Sequence, residues 1–224
     1  MSGHRIAVLS MRSHVMRSRA RAGFTLLEIM VVIAIIGLLM GLIAVAVSRQ
    51  SGAGRVADCR ARIEQFALLL ESYKDRTGDY PAAKLAALGV RDANQVNEGI
   101  EAAVAALRAP DWGGRRPEER WLSNRDEDSS KTLKSADGSN ALLELVDPWD
   151  DPIAYIPASS YGDSFTYRLG EGGSSADVTL QAEMNPKTRA PWQFDSFQLR
   201  SAGPDGEFGN EDDIANFEIP QADD

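Results

Sequence analysis

Two groups of residues in this 224-residue chain have types and spacings that could do chemistry, and a third group is conspicuous by its scarcity. The stretch from Ser201 to Asp224 holds eight acids and no lysine or arginine: Asp205, Glu207, Glu211, Asp212, Asp213, Glu218, Asp223 and Asp224. A folded loop that gathers several carboxylates must neutralise them, and hard carboxylate oxygens suit Ca²⁺. The acids lack the alternating D-x-D-x-D-G spacing of an EF-hand, so the site would be of another kind. At the other end, Glu28 stands immediately before 19 consecutive uncharged residues, Ile29 to Val47. An acid in a membrane segment costs roughly 2.5–3.5 kcal/mol on insertion scales, so it normally has a partner and a purpose. The scarce residues are histidine and cysteine. His4 and His14 both lie in a basic N-terminal segment, and Cys59 is the only cysteine. If that segment is removed, no Ser-His-Asp or Cys-His group, no zinc site of the usual ligands and no intramolecular disulfide can be built.

The elements that must position these residues follow from composition. Residues 1–23 carry five arginines, Arg5, Arg12, Arg17, Arg19 and Arg21, and no acid, while residues 24–48 carry a single charge, Glu28. Taking those five from 24 basic residues and Glu28 from 33 acidic ones leaves 19 against 32, a net charge of −13 on residues 49–224. A body so acidic repels phosphate backbones and anionic lipid, which argues against nucleic-acid binding. The uncharged run would make roughly 28 Å of helix, about the thickness of a bilayer's hydrocarbon core. A basic flank followed by an apolar run also describes a secretory signal peptide. Against that stand the length of the run and the want of a small-x-small cleavage site, since Ala46-Val47-Ser48 imitates one poorly.

Gly23-Phe24-Thr25-Leu26-Leu27-Glu28 resembles the class III signal of type IV pilins and type II secretion pseudopilins. The resemblance implies that residues 1–23 are a leader. A membrane prepilin peptidase would cut it off after Gly23 on the cytoplasmic side and then N-methylate Phe24. Residues 24–48 would remain as a transmembrane and assembly helix, with Glu28 fifth in the mature chain. In a dry filament core its carboxylate can neutralise the amine of a neighbouring subunit's Phe24, two buried charges being tolerable together and costly apart. Translation could start at Met1, Met11 or Met16. Arginines flank the run on both sides, so the N-in orientation comes from the resemblance and not from charge. Gly37 and Gly41 form a G-x-x-x-G that permits close helix approach.

Beyond the run, Val56, Cys59, Ile63, Phe66, Leu70 and Tyr73 recur at steps of three and four, one face of an amphipathic helix. It should continue from the apolar segment and stop near Thr77-Gly78, spanning about 80 Å from Phe24. Cys59 on the apolar face reads as a buried structural thiol. A second helix is expected over Gly99–Leu107, then a loop at 110–114 and a polar, mobile stretch at 124–140 with little to bury. Strands are expected at 153–156, 165–169 and 194–199, with a glycine-serine loop at 170–175. The sum is α+β: a long N-terminal helix packed on a small antiparallel sheet, in a globular domain of residues 49–224.

Two further stretches resemble the major pseudopilins. Asp147-Pro148-Trp149-Asp150-Asp151-Pro152-Ile153-Ala154-Tyr155 is similar to their D-P-W-G-N-P-Y-x-Y step, with aspartates where glycine and asparagine are usual. On its own terms it is a proline-fixed turn feeding a strand, with Trp149 as core. Ser201-Ala202-Gly203-Pro204-Asp205-Gly206 followed by Asp212-Asp213-Ile214 resembles their calcium loop. That resemblance implies Asp205, Asp212 and Asp213 as carboxylate ligands, with backbone carbonyls near Ala202 and Glu207. The intervals 82–146 and 157–193 look like insertions. The first expectation is a structural subunit, not an enzyme. It would polymerise with itself and other pseudopilins in a periplasmic pseudopilus on an inner-membrane secretion platform. A surface type IV pilin for adhesion, motility or DNA uptake is the alternative. A membrane-tethered enzyme is remote, because acid pairs such as Asp150/Asp151 have no evident basic or nucleophilic partner.

Overall fold

The computed structural model describes residues 25–135, 138–170 and 174–219, the side chains of 41–51 excepted. The expected leader, residues 1–23 with Gly23, and Phe24 lie outside the described residues, as do residues 171–173 of the expected glycine-serine loop. The chain divides into two units, Met1–Val47 and Ser48–Asp224.

Helix α1 runs over Leu26–Thr77. Its start is capped by Thr25, whose hydroxyl accepts the Glu28 backbone N–H at 3.2 Å. Threonine followed three residues later by glutamate is the sequence form of a helix N-terminus, and the glutamate's charge suits the positive end of the helix. In the first unit Leu26, Leu27, Ile33, Leu38 and Met40 are all exposed. Among the described residues no helix is long and apolar enough to cross a membrane. The last seven residues of the uncharged run, 41–47, have side chains outside the described ones. A Cβ on Gly37 would meet nothing, so that face of the helix is open.

In the second unit the expected helical face is the buried one. Cys59, Ile63, Phe66 and Leu70 are almost entirely enclosed, Leu69 joins them, and Val56 and Tyr73 pack at the margin. The helix ends where expected: Gly78, at φ +97°, donates its N–H to the Lys74 carbonyl. Glycine takes this left-handed conformation without penalty, which is why helices commonly end on it.

Helix α2 spans Glu98–Arg108 and is enclosed on nearly every side, from Gly99 to Val104 and again from Ala106 to Arg108. At Gly99 a Cβ would come within 2.5 Å of the Tyr155 carbonyl, so glycine sets how closely α2 lies on the strand beneath it. Seven short strands follow among the described residues: β1 Leu122–Ser123, β2 Glu144–Leu145, β3 Ala154–Pro157, β4 Phe165–Leu169, β5 Ala176–Leu180, β6 Phe197–Ser201 and β7 Ile214–Ala215. They form three antiparallel sheets, β1-β2, β3-β6-β7 and β4-β5, where a single small sheet was expected. The core joins the buried face of α1 to α2 and the sheets through Ile153, Tyr155, Phe197 and Leu199. Tyr155 and Tyr167 tie it internally, the Tyr155 N–H donating to the Tyr167 oxygen and the Tyr167 hydroxyl to the Tyr155 carbonyl.

Three local expectations need correction. The strand expected at 194–199 starts at Phe197, because Phe194 lies in a turn and is 70% exposed. β5 was not anticipated; Ala-Asp-Val-Thr-Leu alternates apolar and polar residues, but all except Leu180 stay exposed or half-buried, and the strand is held by β4, with Arg168 bidentate on Asp177 across the pair. The polar stretch 124–140 is folded where described: Ser130 is buried, and Asp92 accepts hydrogen bonds from Ser130, Lys131 and Thr132.

Candidate functional site

The loop between β6 and β7 is closed at its base by the antiparallel ladder, Arg200 opposite Ala215 and Ser201 opposite Ile214. Residues 202–213 therefore form a bounded excursion. It opens with a short 3₁₀ turn, Gly203–Asp205, primed by Pro204 and ended by Gly206 at φ +72°. Gly203 is at φ +71°, and a Cβ there would overlap the Asp212 carbonyl. Only glycine lets the two arms of the loop approach so closely.

The sequence-predicted ligands are arranged as follows. The Asp205 carboxylate accepts the Glu207 N–H at 2.9 Å and the Asn210 side-chain amide at 2.7 Å. Asn210 also accepts the Asp212 N–H, so one amide side chain links both acidic ends of the loop. Asp213 is buried; its Oδ2 accepts the Gly209 N–H, and its Oδ1 has no hydrogen-bond partner. Burial, only partly offset by that N–H and by Arg200, pushes the Asp213 carboxyl up to about 6, with Asp212 and Asp205 adding to the rise. The Arg200 guanidinium stands 3.8 Å away but is also engaged by Glu183 at 2.9 Å. Asp205 and Glu207 are exposed, and Ala202 is fully buried at the loop's root.

These residues fit a hard cation in part. The donor set is all oxygen, Asp213 offers a buried carboxylate oxygen with no other partner, and the Gly203 crossing holds the arms together. The three carboxylates do not converge on one point, however. Among the described residues the one such cluster is Glu101, Asp126 and Glu144, with ligand oxygens within 4.8 Å of one another.

The loop's base is tied to the Asp147–Pro152 turn. Ser201 donates its hydroxyl to Asp147 Oδ2 at 2.6 Å and accepts the Gly203 N–H at 3.0 Å. Asp147, almost fully buried, also accepts the N–H groups of Trp149 and Asp151. Burial raises its carboxyl, against these hydrogen bonds. Asp150 takes φ +73°, the conformation for which glycine is suited. The buried anchor of this turn is thus Asp147, while Trp149, expected as core, is only partly buried at its edge. Cys59 lies close by, its thiol pushed up to about 12 by burial, in keeping with a structural role.

A capped N-terminal helix entering an α+β domain whose last hairpin carries an acidic loop is the organisation of a pilin-like subunit. The prokaryotic N-terminal methylation motif matches residues 18–44. The type II secretion system core protein G of Pseudomonas aeruginosa is 30% identical over 170 residues, which cover 74% of this chain and 96% of that protein. The core protein G of Escherichia coli K12 is 27% identical over 198 residues (87% and 90%), and that of Aeromonas hydrophila 27% over 207 residues (91% and 97%). No solved structure matches. The chain belongs to the family of type II secretion system core protein G, the pseudopilins.

Proposed function

We propose that this chain is a structural pseudopilin subunit, made as a precursor, cut after Gly23, N-methylated on Phe24 and polymerised into the pseudopilus of a type II secretion system. The observation that carries this reading is the methylation motif over residues 18–44 joined to a helix that begins at Thr25-Leu-Leu-Glu28. Its partners are then copies of itself, other pseudopilins, the prepilin peptidase, the inner-membrane assembly platform and membrane lipid. The run Ile29–Val47 anchors the chain once in the inner membrane, with residues 49–224 in the periplasm, and its role is structural instead of catalytic. Glu28 is exposed in the single chain. In the filament it receives the Phe24 amine of a neighbour.

Within this reading the loop after β6 holds Ca²⁺. Asp205, Asp212 and Asp213 supply carboxylates, and the backbone near Ala202 and Glu207 completes the shell. Bound there, the ion supplies no chemistry beyond neutralising the acids and closing the loop. In a chain with a single cysteine it gives the constraint a disulfide would otherwise give.

Two measurements test the proposal. Mass spectrometry of the chain purified from membranes should give an N-terminal methyl-Phe24, and deletion should block export of the secreted proteins; an unprocessed N-terminus or unimpaired export would overturn the assignment. Separately, the full chain in detergent should melt higher in millimolar Ca²⁺ than in EGTA, with Asp205→Ala removing at least part of the gain. An undiminished gain in Asp205→Ala would remove calcium from this loop.

A further inference from the structure

The cluster away from this loop is assembled from three separate segments. Glu101 comes from α2, Asp126 from the loop after β1, and Glu144 from β2. Glu101 and Glu144 are both 0% exposed. An acid on a one-sided helix could turn to water, but α2 is enclosed along that whole stretch and leaves Glu101 no such route. Both Glu101 carboxylate oxygens are buried without a hydrogen-bond partner. Such a group costs the full desolvation penalty unless something compensates it.

The other two carboxylates are held in place by donors on their outer sides. Glu144 Oε1 accepts the Asn97 amide at 2.9 Å, and Oε2 accepts the Arg125 N–H at 3.0 Å. Asn97, in a left-handed conformation at the start of α2, is itself fixed by accepting the Arg168 N–H. Asp126 Oδ2 accepts the Asn94 amide at 2.8 Å. Outer-sphere donors of this kind orient the ligands of metal sites. Among the described residues the charged groups nearest Glu101 are all acids, Asp126 and Glu144 in the cluster with Asp128 and Glu98 beyond them, and none is a cation that could pair with it.

The spacing separates two ways of relieving this. A proton shared between carboxyls needs oxygens within hydrogen-bond distance, and Glu101 has no such partner. A cation needs oxygens on opposite sides of itself. With Ca–O bonds of about 2.3–2.6 Å, two ligands on one ion lie no more than about 5 Å apart. The 4.8 Å limit satisfied by all three carboxylates fits the second arrangement. Asp126 lines an open pocket of about 420 Å³, so one of the three carboxylates reaches toward solvent. We propose that Glu101, Asp126 and Glu144 bind a divalent cation, Ca²⁺ by preference, which ties α2 to β2 and to the loop after β1. Ca²⁺ is favoured over Mg²⁺ because two of the three carboxylates are closed to solvent, and Mg²⁺ keeps its waters. The site is independent of the C-terminal loop and of the filament reading.

The test is equilibrium binding of Ca²⁺ to the full chain in detergent, depleted with EGTA beforehand. Glu101→Gln should bind one ion fewer per chain than wild type, and Asp205→Ala combined with it should lose any loop ion separately. In EGTA, Glu101→Gln should melt at or above wild type, because a neutral isostere replaces a crowded buried acid. In millimolar Ca²⁺ the order should reverse. Asp126→Asn, at the open mouth and free of core packing, should lose the same ion even if Glu101→Gln fails to fold. Unchanged stoichiometry in Asp126→Asn would overturn the proposal, whatever the C-terminal loop binds.

Discussion

Asp147 shows how much one side chain settles. Its two oxygens take the N–H groups of Trp149 and Asp151 and the hydroxyl of Ser201, joining the turn before β3 to the end of β6. Asp147→Ala would leave buried donors unpaired and should destabilise the body by roughly 2–4 kcal/mol in urea unfolding. Asp147→Asn keeps an acceptor for the backbone and should lose less; equal losses would mean that the charge, not the hydrogen bonds, holds the turn. The motif around this residue was legible in the sequence, but its anchor was assigned to Trp149, because an aromatic flanked by proline reads as core. Asp147 was hidden because a buried acid is recognised only by the donors that converge on it, and Ser201 lies 54 residues away. Glu101 escaped notice for a related reason. In Gly-Ile-Glu-Ala-Ala-Val-Ala-Ala-Leu it passes for the polar position of an amphipathic helix, whereas α2 has no polar face there. The available signal was a lone acid in an apolar stretch, combined with the acids at 126–128.

At the scale of elements, legibility followed periodicity. The face of α1 from Val56 to Tyr73 was readable because it repeats at helical spacing over five turns, and burial falls on those positions. Two neighbouring residues make a direct contrast. Phe66 is fully enclosed and Leu68 is 69% exposed on the same helix. Phe66→Ala should therefore cost about 3–5 kcal/mol and Leu68→Ala within about 0.5 kcal/mol, read from denaturant midpoints. A comparable cost at Leu68 would show that this side of the helix is packed in the state being unfolded. The strands were less readable. β4 alternates buried and half-buried residues and was anticipated over its whole length, Phe165–Leu169. β5 alternates too, Ala-Asp-Val-Thr-Leu, but its apolar positions before Leu180 are too small or too exposed to mark a core face, and its pairing with β4 and the Arg168–Asp177 bridge cannot be seen in five residues taken alone. The strands at 122–123, 144–145 and 214–215 are two residues long, below the length at which alternation means anything.

For the whole molecule, the opposing demands fall on Glu28. A single chain presents an apolar helix surface, Leu26 to Met40, interrupted by one carboxylate. Leucine in its place would be better tolerated in lipid, by roughly 3 kcal/mol on insertion scales. If Glu28 served only the separate chain, Glu28→Leu should accumulate and function at least as well. In the proposed filament the balance reverses, because the methylated amine of Phe24 loses its only nearby carboxylate in a dry core. Breaking a buried pair by removing one partner costs about 3–5 kcal/mol, enough to outweigh the gain in lipid. Glu28→Leu should then be cleaved after Gly23 and remain in the membrane while failing to enter filaments. Cross-linking of membrane fractions measures both, by the ladder of oligomers and the mobility of the processed chain. A normal ladder would show that the carboxylate is not the amine's partner. Loss of cleavage would place Glu28 in peptidase recognition instead of assembly.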